Sequence, residues 1–180
     1  QSRQSTDDAI SLASDSSVTL KHSASAKLAT TSTGVSVTGI CAATTFSGSV
    51  DLSGLLKEGV NITAGKLSDN TDIDLENGMV HLFTTQETTT STPNIRFNSS
   101  TSLDSSMSVG EAISVTIITT AAAAGYSAQL TIDGAAVTEN WVGGSAPSDG
   151  GSSGVDIYAY TIIKTASATF TVIGNQSKTS

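Results

Sequence analysis

The stretch "KLATTSTGVSVTG", residues 27–39, alternates small polar and β-branched residues and has almost no bulk. Within it Val35 and Val37 point to one side and Ser36 and Thr38 to the other, the two-residue period of a strand. Side chains this small have too little bulk to build a core of their own. The composition of the whole chain agrees. Close to a third of the 180 residues are Ser or Thr, and 13% are charged. Leu, Ile, Val and Phe make up about a fifth, near the level below which chains stay disordered. A formal net charge of −8 is modest for this length, so the reading is a folded, core-poor, all-β chain. Such a chain has trouble offsetting its ordering entropy as a monomer, and oligomerisation, which buries surface that a single chain leaves wet, is one remedy.

Several function classes drop out. Residues 1–77 carry five basic and nine acidic groups, and residues 78–180 carry three and seven, so each part is at −4. With no basic patch, binding of nucleic acid through its phosphates is not expected. The longest apolar-leaning stretch, "AISVTIITTAAAAG" (112–125), is too short and too rich in Thr to insert into a membrane. No signal-peptide pattern is read, and the sequence starts at Gln1 rather than Met, which fits a processed product or part of something longer. Cys41 is the single cysteine, so no disulfide framework replaces a core, and the residue is expected to be a small buried hydrophobe.

Aromatic content divides the chain. Phe46 alone lies in residues 1–77, and the other seven aromatics follow Asn77. This predicts an extended β-rich stem over 1–77 and a small domain over 78–180 that aromatics can fill. In the first part, short runs with period 2 are separated by Gly, Ser and Asp: 9–13, 17–22, 27–30, 34–40, 48–52, 59–63 and 72–76. In 17–22, Val18, Leu20 and His22 share a face. "AISLASDSSVTLKH" (9–22) is weakly echoed by "DIDLENGMVHLF" (72–83). "SGLLKEG" (53–59) is the one segment that reads as a turn of helix. In the second part, 111–120 puts Ile113, Val115 and Ile117 on one face, and Asp133-Gly134 marks a hairpin within 127–140. Residues 155–165 carry Val155, Ile157, Ala159 and Ile163 on one face and Tyr158, Tyr160 and Ile162 on the other, as in a central strand covered on both sides. Short strands with regular turns indicate a β-sandwich, and 142–154 reads as an exposed Gly/Ser loop.

Residues 17–40, "SVTLKHSASAKLATTSTGVSVTGI", resemble the recurring units of tail-fibre and related appendage proteins of marine tailed bacteriophages. The matching positions are Leu20-Lys21-His22, Lys27-Leu28 and Thr30 to Gly39, while "SASA" (23–26) departs from the usual Asp/Asn- and Gly-rich turn. Residues 107–172 are similar to a C-terminal module of cyanophage and related structural proteins. The landmarks are Val109-Gly110, Asp133-Gly134, Trp141 before Gly143-Gly144-Ser145-Ala146-Pro147, Gly154, and Ile163 to Ala166. The resemblance implies a homotrimeric stem, intertwined or β-prism-like, followed by a jelly-roll-like knob. Val18, Leu20, Leu28, Val35 and Val37 would form the interchain stem core. It also implies a projecting virion fibre or appendage that contacts other virion structural proteins and a host-surface glycan. A capsid- or neck-bound decoration or connector protein, and a fragment of a bacterial surface adhesin, are the alternatives.

Few residues carry chemistry. Three copies of His22 on a threefold axis would be able to hold a metal, yet His22 and His81 read more simply as strand-end hydrogen-bonding groups. Asp69, Asp72, Asp74 and Glu76 lack the spacing of a calcium loop, so a solvated strand face is expected and neither metal nor cofactor is assigned. No Gly-x-Ser-x-Gly is present and no catalytic set is assigned, so an enzyme is not expected. Tyr126, Trp141, Tyr158 and Tyr160 are the candidates for stacking on a glycan, against the plainer reading that they pack the sandwich. The sequons at Asn61, Asn98 and Asn175 carry no glycosylation meaning in a phage protein.

Overall fold

A computed structural model of the chain describes residues 10–12, 17–42, 48, 51 and 53–179. They fall into two compact units, one ending at Ser53 and one beginning at Gly54. The first unit is an antiparallel meander of four strands in chain order: β1 (Ile10–Leu12), β2 (Val18–His22), β3 (Ser25–Thr31) and β4 (Gly34–Val37). Its alternating sequence sorts the faces. Ile10, Leu20, Leu28 and Val37 stand opposite one another across the sheet, and Leu12 opposes Val18. Ser11, Thr19, Ala29 and Ser36 line the other side. The β2–β3 turn places Ser23 at φ 49° and Ala24 at φ 60°. Phe46 and most of the strand expected over 48–52 lie outside the described residues.

The second unit holds ten strands and one α-helical turn among the described residues: β5 (Val60–Thr63), β6 (Asp72–Asp74), β7 (Val80–Gln86), β8 (Asn94–Arg96), α1 (Leu103–Ser106), β9 (Ala112–Thr120), β10 (Thr131–Ile132), β11 (Ala135–Ala136), β12 (Glu139–Trp141), β13 (Val155–Ala166) and β14 (Thr169–Lys178). They form a six-stranded sheet, β12-β14-β13-β9-β7-β5, and a four-stranded sheet, β11-β10-β8-β6. From β5 to β10 the chain visits the two sheets alternately. β5, β7 and β9 run parallel in one, and β6, β8 and β10 run parallel in the other. The result is three stacked coils closed by the antiparallel hairpin β13–β14. Ile73, Ile95 and Ile132 align across the four-stranded sheet. They pack in one core with Phe83, Val115, Ile117, Tyr158, Tyr160, Ile162 and Val172 of the six-stranded sheet.

Two sheets around a shared core agree with the expected sandwich, but the pairing is not that of a jelly roll. Five of the eight strand pairings in this unit are parallel, whereas a jelly roll is antiparallel. The boundary also falls earlier than Asn77. β5 pairs with β7 and β6 with β8, so residues 60–77 are the first coil of the second unit. That coil is filled by the aliphatics Leu67, Ile73 and Leu75, which is why aromatic content does not reveal it. No helix forms over 53–59, where the four residues between Gly54 and Gly59 are too few to sustain one, and Leu55 and Leu56 stay exposed. The Asp133-Gly134 turn is as expected, with both residues at positive φ and Ile132 opposite Ala135. β13 is central in its sheet, yet only its Tyr158 and Tyr160 side is covered, and Ala159 is exposed on the other.

Candidate functional site

The first candidate is the apolar face of the meander. Val18, Leu20, Leu28, Val35 and Val37, expected to form a shared stem core, all lie on that one face together with Ile10 and Leu12. Ile10, Leu12, Leu20, Val35 and Val37 remain 39–76% exposed in the chain. A four-stranded sheet normally buries such a face, because each large side chain moved out of water contributes about 1.5–3 kcal/mol. Ile10 and Leu12 escape the sequence reading, although the alternation of residues 9–13 carries the signal. Cys41, after β4, is an exposed free thiol rather than the expected buried hydrophobe, since no second layer of described residues covers it.

The four aromatics do not form one surface. Tyr158 and Tyr160 are 1% and 2% exposed, which corrects their assignment to a glycan contact. The Tyr158 hydroxyl accepts from the Ser127 N–H at 3.2 Å and from Gln176 Nε2 at 3.1 Å. Burial pushes the Tyr158 phenol up to about 12, and raises that of Tyr160 as well, so both are neutral packing groups. Trp141 is half-buried and meets Tyr160 edge-on, with ring centroids 6.0 Å apart. Its ring also lies against Gly174, where a Cβ would sit 3.0 Å away. Tyr126 is half-buried and lines a shallow hollow of about 270 Å³ with Thr90, Thr92, Gln129 and Ala146.

The acidic run is part of a self-satisfied polar face. Asp72 and Asp74 point outward from β6, and Arg96 on β8 reaches both, Nη1 to Asp72 at 2.9 Å and Nε to Asp74 at 2.6 Å. Asn94 donates to Asp72 at 2.9 Å, and Asn98 donates to Glu76 at 2.7 Å. Asp69 instead pairs with Lys66 at 3.3 Å. A groove of about 310 Å³ runs along this face past Arg96, Ser100 and Asp133, but Asp133 is already occupied by the N–H groups of Leu103 and Asp104. No group of three metal-ligating side chains occurs among the described residues.

The two histidines differ. His22 ends β2 and is exposed. His81 on β7 is 1% exposed and held at both nitrogens: Nε2–H donates to the Gly78 carbonyl at 3.0 Å, and Nδ1 accepts from Asn61 Nδ2 at 3.2 Å. Burial lowers its pKa, against the opposing pull of the Gly78 hydrogen bond and of Asp74. The arrangement serves a neutral imidazole that ties β5 to β7.

Asp156 and Lys164 are buried charged groups that the sequence reading did not single out. Asp156 accepts the Gly151 N–H at 3.0 and 2.9 Å on its two oxygens, and so fixes the glycine-rich loop before β13. Lys164 pairs with Asp104 at 2.7 Å and donates to the Met107 carbonyl at 2.9 Å, fastening α1 to β13. No family model, curated protein or solved structure matches the chain.

Proposed function

We infer that the chain is a structural component of a phage virion, a homotrimeric projecting fibre or appendage. The reading rests on one observation, the apolar face of β1–β4 left exposed in register within a segment that resembles fibre-type units. Three copies turned face inward would share a narrow core, and each would supply only a third of it. In an intertwined or prism-like assembly strands would also pair between chains, which would cover the outer strand edges against random pairing. The work is mechanical: the assembled chains project from the particle. Host-surface contact is secondary and would use Tyr126 and Trp141, each contact weak and several acting together. Light scattering tests the core of the reading, with an expected mass about three times the 18.1 kDa of one chain. A single-chain mass at micromolar concentration overturns it. Antibody labelling of particles in the electron microscope is expected to mark an appendage, and label spread over the capsid lattice favours a decoration protein.

A further inference from the structure

The second unit has two outer faces of opposite character. That of the four-stranded sheet is charged and closed on itself through Asp72, Asp74 and Arg96. On the six-stranded sheet, no Asp, Glu, Lys, Arg or His occupies a paired position of the outward face. Instead Ile62, Leu82, Ile118 and Ile157 stand side by side in register across β5, β7, β9 and β13. Ile62 is 64% exposed. Beside this ridge the small side chains of Thr116 and Ala159 leave a hollow of about 210 Å³.

We propose that this face packs against the same face of other copies of the chain. Charge selects the occupant. Two copies that each carry a net charge of −8 meet at the least local cost where neither presents a charged side chain, and a basic or anionic partner finds no side chain on this face to pair with. Size selects the circumstance. Five strands of about five residues cover roughly 400 Å², about half of the ~800 Å² per partner that a free-standing interface takes. A patch of that size holds copies together when something else already tethers them, and here the inference rests on the oligomeric stem proposed above. The ridge-and-hollow relief suits interlocking of side chains where the faces of the tethered copies meet.

Thiol cross-linking on the full chain tests this. In a Cys41→Ser background, Ile157→Cys is treated with a short bismaleimide, and Ser99→Cys beside the charged groove serves as the comparison. Both substitutions lie on solvent-facing positions, and light scattering reports the mass independently. The expected result is an oligomer that cross-links between copies at position 157 at least tenfold more than at position 99. An oligomer in which the thiol of Ile157→Cys reacts freely with a monofunctional maleimide but does not cross-link overturns the face contact and leaves the stem reading standing. Equal cross-linking at both positions, which signals random collision, also overturns it. A single-chain mass overturns the stem reading, and the tethered contact with it.

Discussion

Tyr158 and Tyr160 show how two similar residues take different roles. Both point into the same core, two positions apart on β13. The Tyr158 hydroxyl satisfies the Ser127 N–H and Gln176, whereas the Tyr160 hydroxyl has no protein partner among the described residues. Removing a hydroxyl that satisfies buried donors costs about 1–3 kcal/mol, while removing an unpaired one costs nothing or stabilises. Tyr158→Phe is therefore expected to lower the unfolding free energy by about 1–2 kcal/mol in urea titration, and Tyr160→Phe to leave it unchanged or raise it. His81 yields a pH prediction. Its folded pKa lies below its unfolded value of about 6.5, so the unfolded chain takes up the proton more readily. The stability linked to His81 is complete above about pH 6.5 and falls as pH drops below it, by at most about 1.4 kcal/mol per pH unit. Denaturation midpoints measured from pH 8 to pH 5 are expected to show this decline, and His81→Gln to flatten it.

Among the elements, the β2–β3 hairpin is strained by its own sequence. Ser23 and Ala24 both sit in the left-handed region, where a residue with a Cβ is disfavoured by roughly 1–2 kcal/mol. Two-residue turns of this kind favour Asn-Gly for that reason. Ala24→Gly is expected to stabilise the first unit by about 1 kcal/mol, read as a higher melting temperature of its transition, and an unchanged or lower value contradicts the turn geometry. The loop before β13 is built the opposite way. A Cβ at Gly150 would stand 2.2 Å from the Ala122 carbonyl oxygen, which is backbone and cannot yield cheaply. Gly150→Ala is expected to destabilise the second unit by about 2–3 kcal/mol in thermal denaturation.

At the scale of the whole molecule, the proposed covering of the meander's apolar face by other copies would make stability a matter of concentration. If copies cover Leu20 and Val35, association and folding of the first unit are one process, and its melting temperature rises with protein concentration. Val35→Lys sets a charge on that face at a position that is 60% exposed in the single chain, so the chain itself tolerates it. The variant is expected to sediment as a monomer and to lose the concentration dependence, while the second unit keeps its transition. Retention of the oligomer in Val35→Lys would place the contact elsewhere.

Period-2 alternation by itself determined that the chain is β-structured, which faces of β2, β9 and β13 are apolar, and where the Asp133-Gly134 turn falls. These depend on neighbours along the chain and on backbone sterics, which local sequence carries. What lies on the far side of a strand is not local. Whether Tyr158 and Tyr160 face a glycan or a core, whether β13 is covered once or twice, and whether β5 pairs with β7 in parallel all depend on residues brought together from far along the chain. Only the tertiary structure decided that residues 60–77 close the first coil of the second unit. It also showed that one outer sheet face is charged and satisfied while the other is bare of charge. Burial and register are sums over distant contacts, and no window of sequence contains them.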